Sequence, residues 1–537
     1  MAALLLLGLA VPLAIVLAKS FLDMRGSLVG LANYAAYFSS PAPFRSIANT
    51  AVIAVVSTLV TIPLAFGYAY GIQRSCMPFK DVFRAIAFIP LLTPSLLFAL
   101  SLVLLFGNQG LLKDLLFGHT IYGPIGIVAG MVFAHFPHTF IVIATALSLT
   151  DRRLYEAAES LGASRLRMFR TITLPGAKYG LASAAVISLM LSITDFGIPK
   201  VIGGQYDLLA TDIYKQVIGQ QNFEMGAVVS VILLAAAALA FAFMWLVQQR
   251  QVALFTARAV PYEPRRNRAF DALMFAYCSA VALAIVGVIA VAAASSFIKF
   301  WPYNLELTLK HYNFDLAAGG GWKAYRNSLE LAVWTALAGT AAAFLGAYLV
   351  EKSRGMKRTR RLIHVLAATP LAVPGVVLGL AYIFFFNHPA SPLRFLYGTM
   401  GILVLVTIIH YYSVTYFAIL TALKQIDADF ESVSDSLKVA RLRTMRRVTV
   451  PLCMPAILDV SIYYFLGAMT TVSAVVFLYG THTNLASVAV LNMDDQGEFG
   501  YATAMAIVIV ATCVAARIVH YLLTRGVHRR SQAWRIA

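Results

Sequence analysis

The chain has 537 residues, of which 60% are hydrophobic and only 12% charged, with a mean hydropathy of +0.78. Soluble domains carry roughly a quarter charged residues, so this composition excludes an ordinary soluble protein and indicates a polytopic membrane protein. The net charge of +18 does not point to nucleic acid, because the basic residues sit in short loops between apolar stretches and leave no continuous basic face.

Twelve apolar segments each supply about 20 residues, enough to cross ~30 Å of hydrocarbon. In chain order they are 2–20, 48–72, 86–107, 123–149, 177–199, 225–248, 270–298, 328–350, 362–386, 400–424, 453–478 and 500–524. Uninterrupted apolar runs of this length are helices rather than the alternating strands of a membrane barrel, and lipid tolerates only those two. The predicted fold class is therefore all-α, with about 12 transmembrane helices. The first segment, Ala2 to Ala18, lacks a basic n-region and a cleavage site, so it is expected to be a span, shortened at its cytoplasmic tip, and not a removed signal peptide. Pro90, Pro94, Pro370 and Pro374 are expected to kink their spans. Gly126-x-x-x-Gly130 and Gly375-x-x-x-Gly379 allow close helix approach. The four cysteines, Cys76, Cys278, Cys453 and Cys513, have no metal or redox spacing and read as small apolar residues. His135-x-x-His138 and His410 lack a carboxylate nearby in sequence, so hydrogen-bonded packing is preferred to a metal site.

With the loops at 73–85, 150–178, 249–269, 351–361, 424–450 and 517–537 on the cytoplasmic side, 31 of the 42 lysines and arginines lie there, which sets the orientation. The chain also repeats. Glu156-Ala-Ala-Glu-Ser-Leu-Gly162-Ala-Ser-Arg165-Leu-Arg167, ending at Pro175, returns as Glu431-Ser432-Val-Ser-Asp435-Ser-Leu-Lys438-Val-Ala-Arg441-Leu-Arg443, ending at Pro451. A shift of 276 residues places Asp151, Ser160, Leu161, Arg165, Arg167, Arg170, Thr173 and Pro175 on identical residues. Asn49-Thr50 matches Asn327-Ser328, and the two proline pairs match each other. The expected organisation is two parallel six-helix repeats: residues 1–248 (core 46–248), a cytoplasmic linker 249–269 carrying Arg258, Arg265, Arg266 and Arg268, and residues 270–537 (core 325–524). Parallel repeats imply a pseudo-two-fold axis along the membrane normal with a pathway between the units.

Each repeated loop predicts a short helix N-capped by Asp151 or Asp427, a bend, and a basic segment. In the first copy Leu154, Ala157, Ala158 and Leu161 form an apolar stripe with Glu156 and Glu159 beside it. Gly162 suits the bend, and Pro175 suits the first turn of the next span. Such an element fits a groove on a soluble partner.

The spacing Glu156-Ala157-Ala158-x-x-x-Gly162, followed by Ile172-x-Leu-Pro175, resembles the coupling loop of permease subunits of binding-protein-dependent ABC importers. The second copy departs from it, with Ser432 in place of the glutamate and Lys438 in place of the glycine; Glu431 lies one residue early. The resemblance implies a type I importer permease in the bacterial inner membrane, one fused chain per transporter. Two copies of an ABC ATPase subunit would dock on the loops, and a periplasmic solute-binding protein would deliver the substrate. ATP and magnesium would be held by the partner, since this sequence has no Gly-x-x-x-x-Gly-Lys-Ser/Thr motif and no Gly-Lys dipeptide. No catalytic residues, cofactor or metal are therefore expected in this chain.

Two stretches, Thr194-Asp195 to Gln205 and Thr470-Thr471-Val-Ser473 to Tyr479, resemble permeases for 2-aminoethylphosphonate and, more broadly, the ferric-iron, thiamine and polyamine branch. Thr194, Asp195, Lys200, Thr470 and Ser473 are the candidate pathway residues. A lining of mixed charge would suit a zwitterionic phosphonate, while Asp195 could equally cap or pair locally. Ferric iron is the alternative cargo. An ion-coupled secondary transporter is the alternative of a different class, but it would need acidic residues at mid-span, and the spans nearly lack them.

The motif generates two expectations. Glu156→Lys should abolish receptor-stimulated ATP hydrolysis by the assembled complex. Substitution of Ser432 should be tolerated better than substitution of Glu156, and equal loss of transport in both would contradict the inequality of the loops.

Overall fold

The computed structural model describes residues 1–251, 260, 262–352, 355–427 and 429–536, and these are mostly helical, with one antiparallel pair of short strands, Ile298–Phe300 and Asn304–Leu307. Arg258 of the expected linker lies outside the described residues. The first unit comprises α1 (Ala2–Lys19), α2 (Ala42–Arg74), α3 (Lys80–Leu92), α4 (Ser95–Phe106), α5 (Pro124–Ser148), α6 (Arg152–Ser160), α7 (Arg165–Thr194), α8 (Gly197–Ile202), α9 (Leu209–Tyr214) and α10 (Phe223–Gln251). The second comprises α11 (Arg268–Phe297), α12 (Gly321–Glu351), α13 (Lys357–Ala372), α14 (Gly375–Phe386), α15 (Met400–Lys424), α16 (Asp429–Ser436), α17 (Arg441–Thr470), α18 (Ala486–Asp495) and α19 (Phe499–Ile536). Among the described residues ten helices are long and apolar enough to cross a membrane, and the total is 12 if each of two bent pairs counts as one span.

The bent pairs lie where the prolines predict kinks, in the spans at 86–107 and 362–386, and go further than a kink. Helices α3 and α4 meet at 101°, and α13 and α14 at 116°. Proline disfavours helical backbone in the residue before it, and both Thr93 and Val373, just before Pro94 and Pro374, are extended. The prolines therefore break these spans rather than bend them. Pro175 and Pro451 stand, as expected, in the first turn of the α-helical stretches Leu174–Thr194 and Val450–Thr470, but the helices do not start there. The helical path begins ten residues earlier, at Arg165 and Arg441, and passes through a π turn at Phe169–Thr173 and Met445–Thr449. The wider turn makes room for a ring that has no N–H to donate.

Each unit has a core of three long helices, α2, α5 and α7 in the first and α12, α15 and α17 in the second. The first helix of each unit crosses over: α1 packs on α14, and α11 packs on α4 and α2. The units are therefore interlocked.

The repeated Asn-Thr and Asn-Ser dipeptides have a structural role that the sequence did not disclose. Asn49 Nδ2 donates to Asp207 O at 3.0 Å, and Asn327 Nδ2 donates to His482 O and Asn484 O at 2.9 Å. The adjacent hydroxyls accept from the first residues of the short helices, Leu209 N to Thr50 Oγ1 at 3.0 Å and Ala486 N to Ser328 Oγ at 2.8 Å. The start of each long core helix thus holds the loop that returns after α7 or α17, and supplies polar partners to backbone that leaves helical geometry.

The repeat also conserves one tight contact while exchanging its members. A Cβ on Gly197 would lie 2.6 Å from Ser95 Oγ, and a Cβ on Gly375 would lie 2.3 Å from Ser473 Oγ. Gly126 and Gly130 face Ile202 and Ile198 of α8 equally closely, so the first Gly-x-x-x-Gly serves packing. The exchange predicts a rescue. Gly375→Ser alone should overpack the contact and cost about 1–3 kcal/mol, read as a lower Tm of the purified protein. Adding Ser473→Gly should recover most of the loss.

Candidate functional site

The two repeated loops form matching helix-bend-helix elements at one end of the bundle. Asp151 caps α6 through Arg153 N at 3.0 Å, and Asp427 accepts from Asp429 N at 3.1 Å. The bends are closed alike, with Gly162 N to Glu159 O at 2.9 Å and Ala163 N to Ala158 O at 2.9 Å in one, and Lys438 N to Asp435 O and Val439 N to Ser434 O, both 3.0 Å, in the other. Gly162 has φ +71° and Lys438 φ +53°. The second loop therefore keeps a left-handed bend without the glycine that takes it freely, which costs roughly 1 kcal/mol. Ser164 accepts from Arg167 N to start the first basic segment, whereas Ala440 stands at that place in the second and offers no cap.

Leu154, Leu161, Val433 and Leu437 are exposed, as are Glu156, Ala157, Arg165, Ser432, Asp435 and Arg441. The expected apolar stripe thus faces outward, as a docking surface requires. The buried anchor of α6 is Tyr155, a residue that the motif did not single out. Its hydroxyl lies 2.8 Å from Thr173 Oγ1, and the Arg74 guanidinium sits 5.2 Å from its ring centre while donating to Leu147 O at 2.8 Å. In the second unit the counterpart of Arg74 is Lys352, which reaches Glu431 at 2.8 Å and Ile426 O at 3.3 Å. A cation at the end of α2 or α12 therefore ties each loop to its core, on an aromatic face in one unit and on a carboxylate in the other. Glu431 thus takes the place of Tyr155 and faces inward, so it does not substitute for Glu156.

The surfaces around the loops differ. Glu156 accepts from Arg152 Nε at 2.7 Å, and Arg152 also reaches Glu263 at 2.6 Å, while Arg265 reaches Glu159 at 2.6 Å. The second loop instead borders an open, mainly apolar cavity of about 760 Å³ between Phe430, Val433, Leu437, Arg443 and Arg447.

At the opposite end of the bundle the candidate pathway residues separate. Asp195 Oδ1 accepts from Ile198 N at 3.0 Å at the start of α8, and its other oxygen lies 3.6 Å from His135 Nε2. The local capping role is therefore realised. Lys200 turns away from Asp195 and pairs with Asp495 of the second unit at 2.7 Å, its ammonium 5.2 Å from the Tyr214 ring centre. Tyr214 stacks on Phe477, again across the units, at 6.0 Å. Burial, and then the charge of Asp495, push the Asp494 carboxyl up to about 7. Thr194 and Thr470 donate to carbonyls of their own helices, Met190 O at 2.9 Å and Leu466 O at 3.0 Å, and Ser473 packs on Gly375. Among the described residues no group of three or more His, Cys, Asp or Glu side chains could hold a metal ion.

The family described as "Binding-protein-dependent transport system inner membrane component" matches residues 61–253 and again 336–529. Similar proteins include the ferric transport system permease protein FbpB of Actinobacillus pleuropneumoniae, 28% identical over 86% of this chain and 68% of that protein. The Fe(3+)-transport system permease protein FbpB 2 of Haemophilus influenzae is 22% identical over 94% of this chain and 95% of that protein. Among solved structures, a bacterial ABC transporter involved in the import of the acidic polysaccharide alginate superposes with a TM-score of 0.40 at 19% identity, covering 47% of this chain and 92% of that one.

Two outcomes are expected from the site. Lys438→Gly should relieve the left-handed strain and raise stability by about 1 kcal/mol, measured by thermal unfolding in detergent; a fall in Tm would contradict this account of the bend. Asp495→Asn should weaken the contact between the units at the far end, whereas Asp494→Asn should leave it intact. Disulfide trapping across the seam would report the difference, and equal yields in the two variants would contradict it.

Proposed function

The chain belongs to the family of binding-protein-dependent transport system inner membrane components, and from that premise we propose that it is the fused permease of an ATP-driven importer whose cargo is ferric iron. The family match to both units carries the permease assignment. The two polar loops are the points where ATPase subunits dock, one copy on each, and ATP and magnesium reside on those subunits. With the basic loops in the cytoplasm, the Lys200–Asp495 seam faces outward, toward a periplasmic solute-binding protein. ATP-driven closure of the two ATPase subunits draws the loops together and parts the seam, giving alternating access between interlocked units.

The choice of cargo rests on similarity along most of the chain to proteins named as ferric transport permeases. The phosphonate reading rests on the two stretches alone, and the residues it would use have other partners: Asp195 caps α8, Lys200 pairs with Asp495, and Thr194 and Thr470 bond within their own helices. Thiamine and polyamine import have no support from the site.

Proteoliposomes holding this chain, its ATPase and its solute-binding protein decide the matter. ATP-dependent uptake of radioiron, without uptake of labelled 2-aminoethylphosphonate, is the expected result. Phosphonate uptake would overturn the choice of cargo, and uptake driven by an ion gradient without ATP would overturn the permease mechanism.

A further inference from the structure

The segment joining the two units does not simply bridge them. Its described part lies along the first loop and is fixed there by contacts of several kinds. Arg152 N donates to Val260 O at 3.0 Å. Tyr262 packs on Tyr155 with ring centres 4.7 Å apart, and the Arg74 guanidinium sits 4.2 Å from the Tyr262 ring centre. Arg74 is thus held between Tyr155 and Tyr262, one from α6 and one from the linker. Beyond this anchor the linker turns charged groups outward: Glu263 meets Arg152, and Arg265 meets Glu159. The far end of the segment is also pinned, since Asp271 at the start of α11 accepts from Cys76 N at 2.7 Å and from Asn267 N at 3.0 Å.

These contacts place Glu263 and Arg265 in one layer with Glu156 and Glu159, and the side chains of both linker residues remain more than two-thirds exposed. Exposed ion pairs contribute little stability, so this charged layer is better explained by what it presents than by what it holds. We propose that linker residues 262–265 form part of the first docking surface for an ATPase subunit, which makes that surface a composite of α6 and the linker. The composite surface sets Arg152, Arg153 and Arg265 beside Glu156, Glu159 and Glu263, so it offers the ATPase charges of both signs, with Glu263 available to a cationic side chain. At the second surface the basic anchor Lys352 meets Glu431, and a mainly apolar cavity opens beside Val433 and Leu437. The two docking contacts therefore differ: the first adds the ion pairs of the linker, and the second an open cavity beside its loop. This inference rests on the permease reading above.

A photoreactive amino acid placed singly at positions 154, 263 and 437, in the full chain assembled with its ATPase, tests both levels. Cross-linking of position 263 to the ATPase is the expected result. Silence at 263 in a complex that cross-links from 154 or 437 overturns the composite surface and leaves the permease reading intact. Silence at all three positions overturns that reading, and the inference with it. As a second readout, Glu263→Arg should weaken ATPase binding by about tenfold, with the loss shrinking as salt rises; unchanged affinity at low salt would also overturn the proposal.

Discussion

A chain that crosses lipid must satisfy its own backbone, because hydrocarbon offers no hydrogen bonds. Long helices meet this demand alone, and most of this structure is built of them. The demand becomes acute where the path breaks, between α7 and α9 and between α17 and α18. There the same solution occurs twice: an asparagine amide from the start of the core helix takes loop carbonyls, and the neighbouring hydroxyl caps the short helix. Asp195 does the same for α8. Because these segments carry the contacts between the units, the seam at the far end depends on that capping.

The units repeat in fold and differ in chemistry. Both loops keep a left-handed bend, a π turn before the proline and a cation reaching from the preceding core helix. What the cation meets has diverged, from Tyr155 to Glu431. At the other end Lys200 and Asp495 form one bridge across the seam, whereas the shift of 276 that superposes the loops places Val476 and Gly219 at the corresponding positions. The bundle is thus two-fold in backbone and asymmetric in charge.

The helices, the duplication and the loops were legible in the sequence because each leaves a local mark: an apolar run of membrane length, a repeated motif, and lysines and arginines collected on one side. The caps at Asp151 and Asp427 and the bend at Gly162 follow from residue chemistry over a few positions. Contacts between distant segments leave no such mark. Nothing in the spacing of Arg74 and Tyr155, or of Lys352 and Glu431, announces that they meet. Asp195 and Lys200 were singled out as ionisable groups near the end of a span, but their nearness in sequence suggested a shared lining, while the fold turns one to a helix start and the other across the seam. The proline pairs disclosed a distortion but not its size, since a break of 101° or 116° depends on what packs inside the corner.

Events at the two loops are expected to move the seam at the opposite end. Spin labels at Gln205 and Gln496, both exposed beside the Lys200–Asp495 contact, give the distance between the units there in the complex with its ATPase and binding protein. Trapping ATP between closed ATPase subunits should lengthen that distance, and release after hydrolysis should restore it. A distance that stays fixed while the complex hydrolyses ATP and transports would contradict the account.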